Sequence, residues 1–469
     1  MMTNSISETF KPLIARRYLW LFLGRVMPLV ALFLITIIYS RQLSYNDYGT
    51  FQSVWMYANI INVVISFGFS SIILSTNLTF FFSFLKNNRK KIIWFYVVLW
   101  ITGLTAFFFL AKNFTSVEKT LLIAFIVVQN IITVAETLLI KRGKEKISFL
   151  INFLYSALFF GWHIYILLSQ YSLYNLMAGV VIISILKLAA IILTPVKNES
   201  AGSVQPEKHF INHWAYLGLN EVLGTISKWI DKVFLLYLLT ASDFAVFFNG
   251  SFEIPLFGLL ISVAGSLMLI EFSADISKTQ KIQSLFKESA NMLSTIVFPL
   301  FFFLFFFREE LFSIVFKNKY AASVPIFAIS IFILPLRINN YSVILQCFSQ
   351  GKKIMIGSLI DIIIATILMI ILYPYMGSKG IALSIVISTY CQVIYYLWNS
   401  ASLLKTSISN LLPFGKLALK FALMLVLYMS LFVLVKNISI QQKLLIATIF
   451  TTIVVLAGMW GYIKAVLKK

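Results

Sequence analysis

Five cationic side chains lie within long apolar runs: Arg25, Lys187, Lys228, Lys232 and Arg337. A charge at the bilayer centre costs on the order of 2.5–3.5 kcal/mol on the insertion scale, so such residues ordinarily face a wet cavity or an oppositely charged partner. Lys228 and Lys232 are four residues apart and share a helix face, with Asp231 beside it. Two readings are open. Asp231 bridges Lys228 and fixes packing, or the lysines form a cationic wall for a multiply charged anion such as a diphosphate. Arg337 follows Pro335 and precedes Asn339 and Asn340, so a kink, a forked donor and two amides fall within one turn. Arg25 stands three residues before Pro28, which can interrupt the backbone ladder. Arginine binds phosphate through paired donors that lysine lacks, which makes both arginines candidates for anion contact, with an internal ion pair as the alternative. Lys187, near the end of its run, is expected to snorkel to the cytoplasmic surface.

The acids within apolar runs are Glu136, Glu221, Asp231, Glu253 and Asp361. Glu136 and Asp361 lie towards the ends of their runs, which argues against a buried site. Glu253, two residues before Pro255, is the candidate for proton or cation coupling. His163 could titrate near neutral pH, although a lone histidine on an aromatic-rich helix is more often hydrogen-bonded in packing. Cys347 and Cys391 both sit in apolar runs and offer neither a disulfide framework nor a metal cluster. Nothing here calls for a metal or a cofactor.

The elements that must hold these residues follow from composition. Of 469 residues, 60% are hydrophobic and 12% charged, with 45 Phe. That excludes a soluble globular protein. The apolar runs are about 20 residues long rather than alternating ten-mers, so the spans are helices and not barrel strands. They fall at roughly 18–40, 51–76, 92–110, 120–140, 147–168, 172–194, 216–240, 246–270, 290–307, 323–345, 354–373, 378–399, 415–435 and 443–463, a fold of about fourteen transmembrane helices. The first run is of full length and lacks a short core with a small-residue cleavage site, so it is expected to be a retained helix.

Well over half of the 38 Lys and Arg residues fall in alternate loops and at both ends, which the positive-inside rule assigns to the cytoplasm. The clusters Lys86, Arg89, Lys90, Lys91 and Lys141, Arg142, Lys144, Lys146 belong to that set. Topology, together with anionic headgroups of the membrane lipids, accounts for the net charge of +21 without nucleic acid. Trp94, Tyr373, Tyr375 and Trp460, near run ends, are expected interface anchors.

The chain also repeats itself. LSYNDYGTF, from Leu43 to Phe51, recurs as LTASDFAVF from Leu239 to Phe247, each copy between two apolar runs. At the same offset Gly68-Phe69-Ser70 falls against Ala264-Gly265-Ser266. Repeated halves are a common plan of secondary transporters. The expected organisation is an N-lobe over 1–194, a linker over 195–215, a C-lobe over 216–399, and a linker with two extra helices over 400–469.

Taken in order, LSYNDYGTF, FGFSSIIL, SKWIDKVFLLYLLTASDFAVF, REELFSIVFKNKYAASVPIF, NNYSVILQCFSQGKK and YPYMGSKGIALSIVIS make the chain resemble the polysaccharide transport group of the multidrug/oligosaccharidyl-lipid/polysaccharide exporter superfamily, the O-antigen-type flippases. The likeness covers nearly the whole chain. It implies an all-α integral membrane fold with two six-helix lobes in a V around a central cavity, plus two peripheral helices. It further implies translocation of an undecaprenyl-diphosphate-linked oligosaccharide repeat unit from the cytoplasmic to the periplasmic leaflet, with a sugar polymerase and other assembly proteins as candidate partners. Arg25, Lys228, Lys232 and Arg337 are then expected to converge on one cavity and hold the diphosphate, with Asp231, Asn339 and Asn340 in support.

Other functions remain. A multidrug exporter of the same superfamily would need acidic and aromatic walls for organic cations, against the Lys and Arg balance here. A lipid II flippase also handles a diphosphate lipid. A membrane glycosyltransferase or polymerase would need a long catalytic loop on the outer face, where the loops here are short.

Overall fold

The computed structural model describes residues 5–76, 78–111, 114–195, 210–251, 279–467 and the isolated positions 258, 261, 265, 268 and 272. The chain divides into two compact units, Met1–Thr225 and Ile226–Lys469. The first holds α1 (Ser5–Gln42), α2 (Tyr45–Ser66), α3 (Phe69–Ser75), α4 (Leu78–Asn87), α5 (Arg89–Leu110), α6 (Ser116–Lys141), α7 (Glu145–Leu168) and α8 (Leu173–Ile192). The boundary lies inside α9 (Phe210–Leu238). The second unit continues with α10 (Ala241–Gly250), α11 (Thr279–Phe306), α12 (Arg308–Phe316), α13 (Val324–Ser330), a 3₁₀ segment (Ile331–Ile338) and α14 (Val343–Cys347). It ends with α15 (Gly351–Met376), α16 (Ser378–Leu403), α17 (Ile408–Leu411), α18 (Phe414–Leu434) and α19 (Ile440–Leu467).

Among the described residues eleven helical stretches are long and apolar enough to cross a membrane, one of them the run 321–338 made of α13 and the 3₁₀ turns that flank it. The chain is an all-α, multi-pass membrane protein. Two further helices, α2 with 22 residues and α9 with 29, are long enough but carry more polar residues, including Asn46, Asp47, Gln52, Asn59 and Asn62 in α2. The expected span at 246–270 lies mostly outside the described residues.

The repeated motif has the same local structure in both copies. Ser44 takes an extended conformation ahead of α2, and its Oγ accepts from the Asp47 amide at 3.0 Å. Thr240 does the same ahead of α10, accepting from the Asp243 amide at 3.2 Å. Each is an N-cap that satisfies a free amide of the first helical turn, with the aspartate placed favourably at the positive end of the helix. One turn on, Tyr48 and Phe51 are fully buried, as are their counterparts Phe244 and Phe247. The period that buries the aromatic residues is thus set by the cap.

Two expected spans are broken. The run at 51–76 is not one helix: α2 ends where Phe67 and Gly68 adopt left-handed conformations, at φ 39° and 70°, and α3 begins afresh. The run at 323–345 divides into α13, the 3₁₀ segment with Pro335 inside it, an extended Asn339 and α14. Proline lacks the amide that would continue the ladder. In contrast α1 runs through Pro28 without interruption.

Packing within each unit is dominated by aromatic side chains. In the first, Ile72, Ile73, Leu78, Phe81 and Phe84 pack with Phe210 and Trp214 at the start of α9. His163 is fully buried beside Phe159, Trp55, Tyr39 and Phe51. Its Nδ1 lies 2.7 Å from the Phe159 carbonyl oxygen and must carry the proton, because a carbonyl only accepts. In the second, α18 and α19 pack on α11 through Phe421 against Phe298, Phe301 and Phe302, and through Gly458, where an added Cβ would meet Thr295 Cγ2 at 2.2 Å. Lys420 of α18 donates to the Asn291 carbonyl at 2.7 Å, to Thr295 Oγ1 at 3.1 Å and to Ser294 Oγ at 3.3 Å.

Candidate functional site

In the second unit the polar turn of α9 carries Ser227, Lys228, Asp231 and Lys232. Asp231 is buried, with 4% of its surface exposed. Its carboxylate pairs with Lys232, at 3.0 Å, rather than with Lys228, the pairing that one of the two open readings had offered. Lys228 is exposed, with Nζ 6.0 Å from the Trp229 ring centroid, and Lys232 Nζ lies 5.7 Å from the same centroid. Trp229 is therefore flanked by two ammonium groups, a geometry that favours the cations through the ring quadrupole.

Arg337 closes the 3₁₀ segment with a non-helical backbone (φ −77°, ψ 24°) and is half-buried. The two amides that follow it make contacts of their own. Asn339 is buried and donates through Nδ2 to the Phe286 carbonyl at 3.0 Å, while its Oδ1 accepts from the Asn340 amide at 3.0 Å. Asn340 Oδ1 accepts from the Ser342 amide at 3.2 Å and from its hydroxyl at 3.0 Å. Asn339 thus ties the broken segment to α11, while Asn340 Oδ1 satisfies donors of the turn that follows the break.

Asp361, set aside on sequence grounds for lying near a helix end, is buried on α15 and accepts from Ser227 Oγ of α9. Arg337 acts on the same carboxylate electrostatically. Ser227, one turn before Asp231, was the available signal: two polar residues at i, i+4 on an apolar helix mark a face that needs partners.

In the first unit Arg25 is exposed on α1. The preceding Gly24 faces α7, where an added Cβ would sit 3.4 Å from Phe149 Cα, and one step along the helix turns Arg25 away from that contact. Lys187 corrects the sequence reading. It does not snorkel: its side chain is 8% exposed and its Nζ lies 3.2 Å from Glu136 Oε2. At an effective dielectric of about 20 that attraction is about 5 kcal/mol, enough to offset most of the cost of holding two charges among apolar helices. Glu221, also in this unit, accepts from Ser71 Oγ. Glu253 lies outside the described residues.

A polysaccharide biosynthesis protein family model matches residues 38–325, more than half of the chain. Among solved structures the chain is similar to the lipid II flippase MurJ in an inward-closed conformation, with a TM-score of 0.71 at 17% identity over 97% of this chain and 100% of that one. It is also similar to a MATE transporter in complex with MaL6 (TM-score 0.59, 16% identity, 84% of this chain and 97% of that one). A third is a MOP superfamily transporter from Pyrococcus furiosus whose reversed pocket polarity is taken to suggest a different function (TM-score 0.57, 15% identity, 84% of this chain and 96% of that one). No curated protein sequence matches the chain. At these identities the structural likenesses speak for the fold, and the family match carries the assignment. The chain belongs to the polysaccharide biosynthesis protein family.

Proposed function

We propose that the chain is a flippase that moves an undecaprenyl-diphosphate-linked oligosaccharide repeat unit from the cytoplasmic to the periplasmic leaflet of the bacterial inner membrane. The observation that carries this reading is the exposure of cations on apolar helices of a polysaccharide-family membrane protein: Lys228 exposed, Arg337 half-buried, Arg25 exposed. A multiply charged diphosphate is the ligand such residues favour, and the same charges repel a cationic drug. Lys228, Lys232 and Arg337 are the proposed diphosphate contacts of the second unit, and Arg25 that of the first. Lys232 is shared with Asp231 and contributes less free charge. Both termini are assigned to the cytoplasm from the loop charges, and a sugar polymerase and other assembly proteins are the expected partners.

The likeness to MurJ favours one rival, a lipid II flippase. Disruption of the gene is expected to abolish surface polysaccharide and to accumulate the lipid-linked repeat unit in the cytoplasmic leaflet. Support of growth in cells depleted of their lipid II flippase, with surface polysaccharide unaffected by the disruption, would establish the rival instead.

A further inference from the structure

The buried ion pair of the first unit has the composition of a cation site. Glu136 comes from α6, Lys187 from α8, and Ser148, Asn152 and Tyr155 from one face of α7 at i, i+4 and i+7 spacing. Lys187 Nζ lies 3.2 Å from Glu136 Oε2, donates to Asn152 Oδ1 at 2.7 Å, and stands 4.8 Å from the centroid of the Tyr155 ring. These three groups offer the ammonium oxygen lone pairs and a π face. The carboxylate is held in turn: Glu136 Oε1 accepts from Ser148 Oγ at 2.8 Å and from Asn152 Nδ2. Asn152 presents its oxygen to the cation and its nitrogen to the anion, so its amide is fixed in one orientation. Tyr155 is held from its far side, with its hydroxyl accepting from Gln129 Nε2 at 3.1 Å.

A carboxylate oxygen, an amide oxygen and an aromatic face, converging between three helices, form a ligand set for a monovalent cation. An ordinary structural ion pair needs only the two charges; here the amide and the ring also face the ammonium. We infer that this cluster is a monovalent-cation site occupied by the protein's own Lys187, a tethered ammonium that ties α6, α7 and α8 together without an ion from solution. Glu136 is 20% exposed and lies five residues before Lys141 at the end of α6, so the pocket is near an aqueous surface from which an ion could enter. Removal of the lysine side chain leaves a fixed anion and an oriented amide oxygen with nothing between them. Such a pocket recruits Na⁺, K⁺ or a small alkylammonium, and an ion that binds only the folded state raises its stability by mass action. The inference stands apart from the substrate reading, because its readout is stability and not transport.

The test uses the purified full-length protein in detergent, with Tm followed against NaCl, KCl or methylammonium chloride at ionic strength kept constant with choline chloride. Lys187→Ala is expected to melt below wild type in choline and to recover by several degrees, saturably, in at least one of the three cations. Wild type responds less, and Glu136→Gln/Lys187→Ala loses the added response. A Lys187→Ala protein no more cation-dependent than wild type would overturn the inference, as would an equal response from the double variant. Lys187→Ser, which leaves a smaller void, is the second variant. Cytoplasmic K⁺ is abundant, so a vacated site should fill in the cell, and failure of both variants to accumulate in membranes also counts against a cation site.

Discussion

The indole Nε1 of Trp214 donates to the carbonyl oxygen of Phe67 at 3.0 Å, which satisfies an acceptor set free where the helix breaks between α2 and α3. The backbones meet there. A Cβ on Gly218 would lie 2.8 Å from the same Phe67 oxygen, and one on Gly68 would lie 2.7 Å from the Gly218 amide nitrogen. Trp214, Gly218 and Glu221 therefore form one stripe on α9 that docks on Phe67, Gly68 and Ser71. Overpacking such a contact costs about 1–3 kcal/mol, and Gly68→Ala adds the penalty of a left-handed residue at φ 70°. Both Gly218→Ala and Gly68→Ala are expected to lower Tm in detergent, and a neutral result for both would mean that the helices meet less closely than this. Trp214→Phe keeps the packing but orphans the carbonyl, with an expected loss of about 1–3 kcal/mol.

The shared cap makes a matched pair of predictions. Ser44→Ala and Thr240→Ala each remove a side-chain acceptor at a helix N-terminus, and each should destabilise by about 1 kcal/mol. The check is the chemical or thermal unfolding of the two variants. A large loss from one and none from the other would show that the repeat in sequence carries unequal weight in the two units.

Lys228 and Lys232 should fail in different ways. Lys228→Ala removes an exposed charge, so membrane accumulation is expected to stay at wild-type level while surface glycan falls. Lys232→Ala leaves Asp231 buried without its ammonium, which costs on the order of 3–5 kcal/mol. Its protein level is expected to drop, and Asp231→Asn/Lys232→Met should restore the level. Quantitative blotting of membranes beside a surface-glycan assay separates the two.

For the arginines, Arg25→Ala and Arg337→Ala are each expected to abolish surface glycan with insertion intact. Arg→Lys at either position should rescue only in part, because one ammonium cannot reproduce paired donors. Full surface glycan from the Arg25→Ala, Arg337→Ala double variant would exclude both as diphosphate contacts.

Orientation is open to direct measurement. Single cysteines in the 141–146 loop should react with impermeant reagent only from the cytoplasmic side, and those in 308–319 only from the outside. Reaction of both from one side would reverse the helix parity between them.

The sequence alone determined the class of the protein, because one-dimensional quantities control it. Twenty-residue apolar runs require helices in a membrane, and the loop charges carry an orientation. The Ser44 and Thr240 caps were also legible, since a cap and its target amide are three residues apart. What tertiary structure decided was every pairing between elements. Lys187 looked like a snorkelling lysine until α6 brought Glu136 to 3.2 Å from it. Asp361 looked peripheral until α9 set Ser227 against it. The amides of Asn339 and Asn340 stood out only as polar groups near Arg337 until the fold set Asn339 against the Phe286 carbonyl of α11 and Asn340 against the Ser342 amide. The break at Phe67 and Gly68 was illegible for the same reason: a left-handed turn within an apolar run is stable only because Trp214 and Gly218, distant in sequence, satisfy and fill it. Apolar periodicity is a local property, whereas the partner of a buried charge or a freed carbonyl is chosen by whichever helix packs against it.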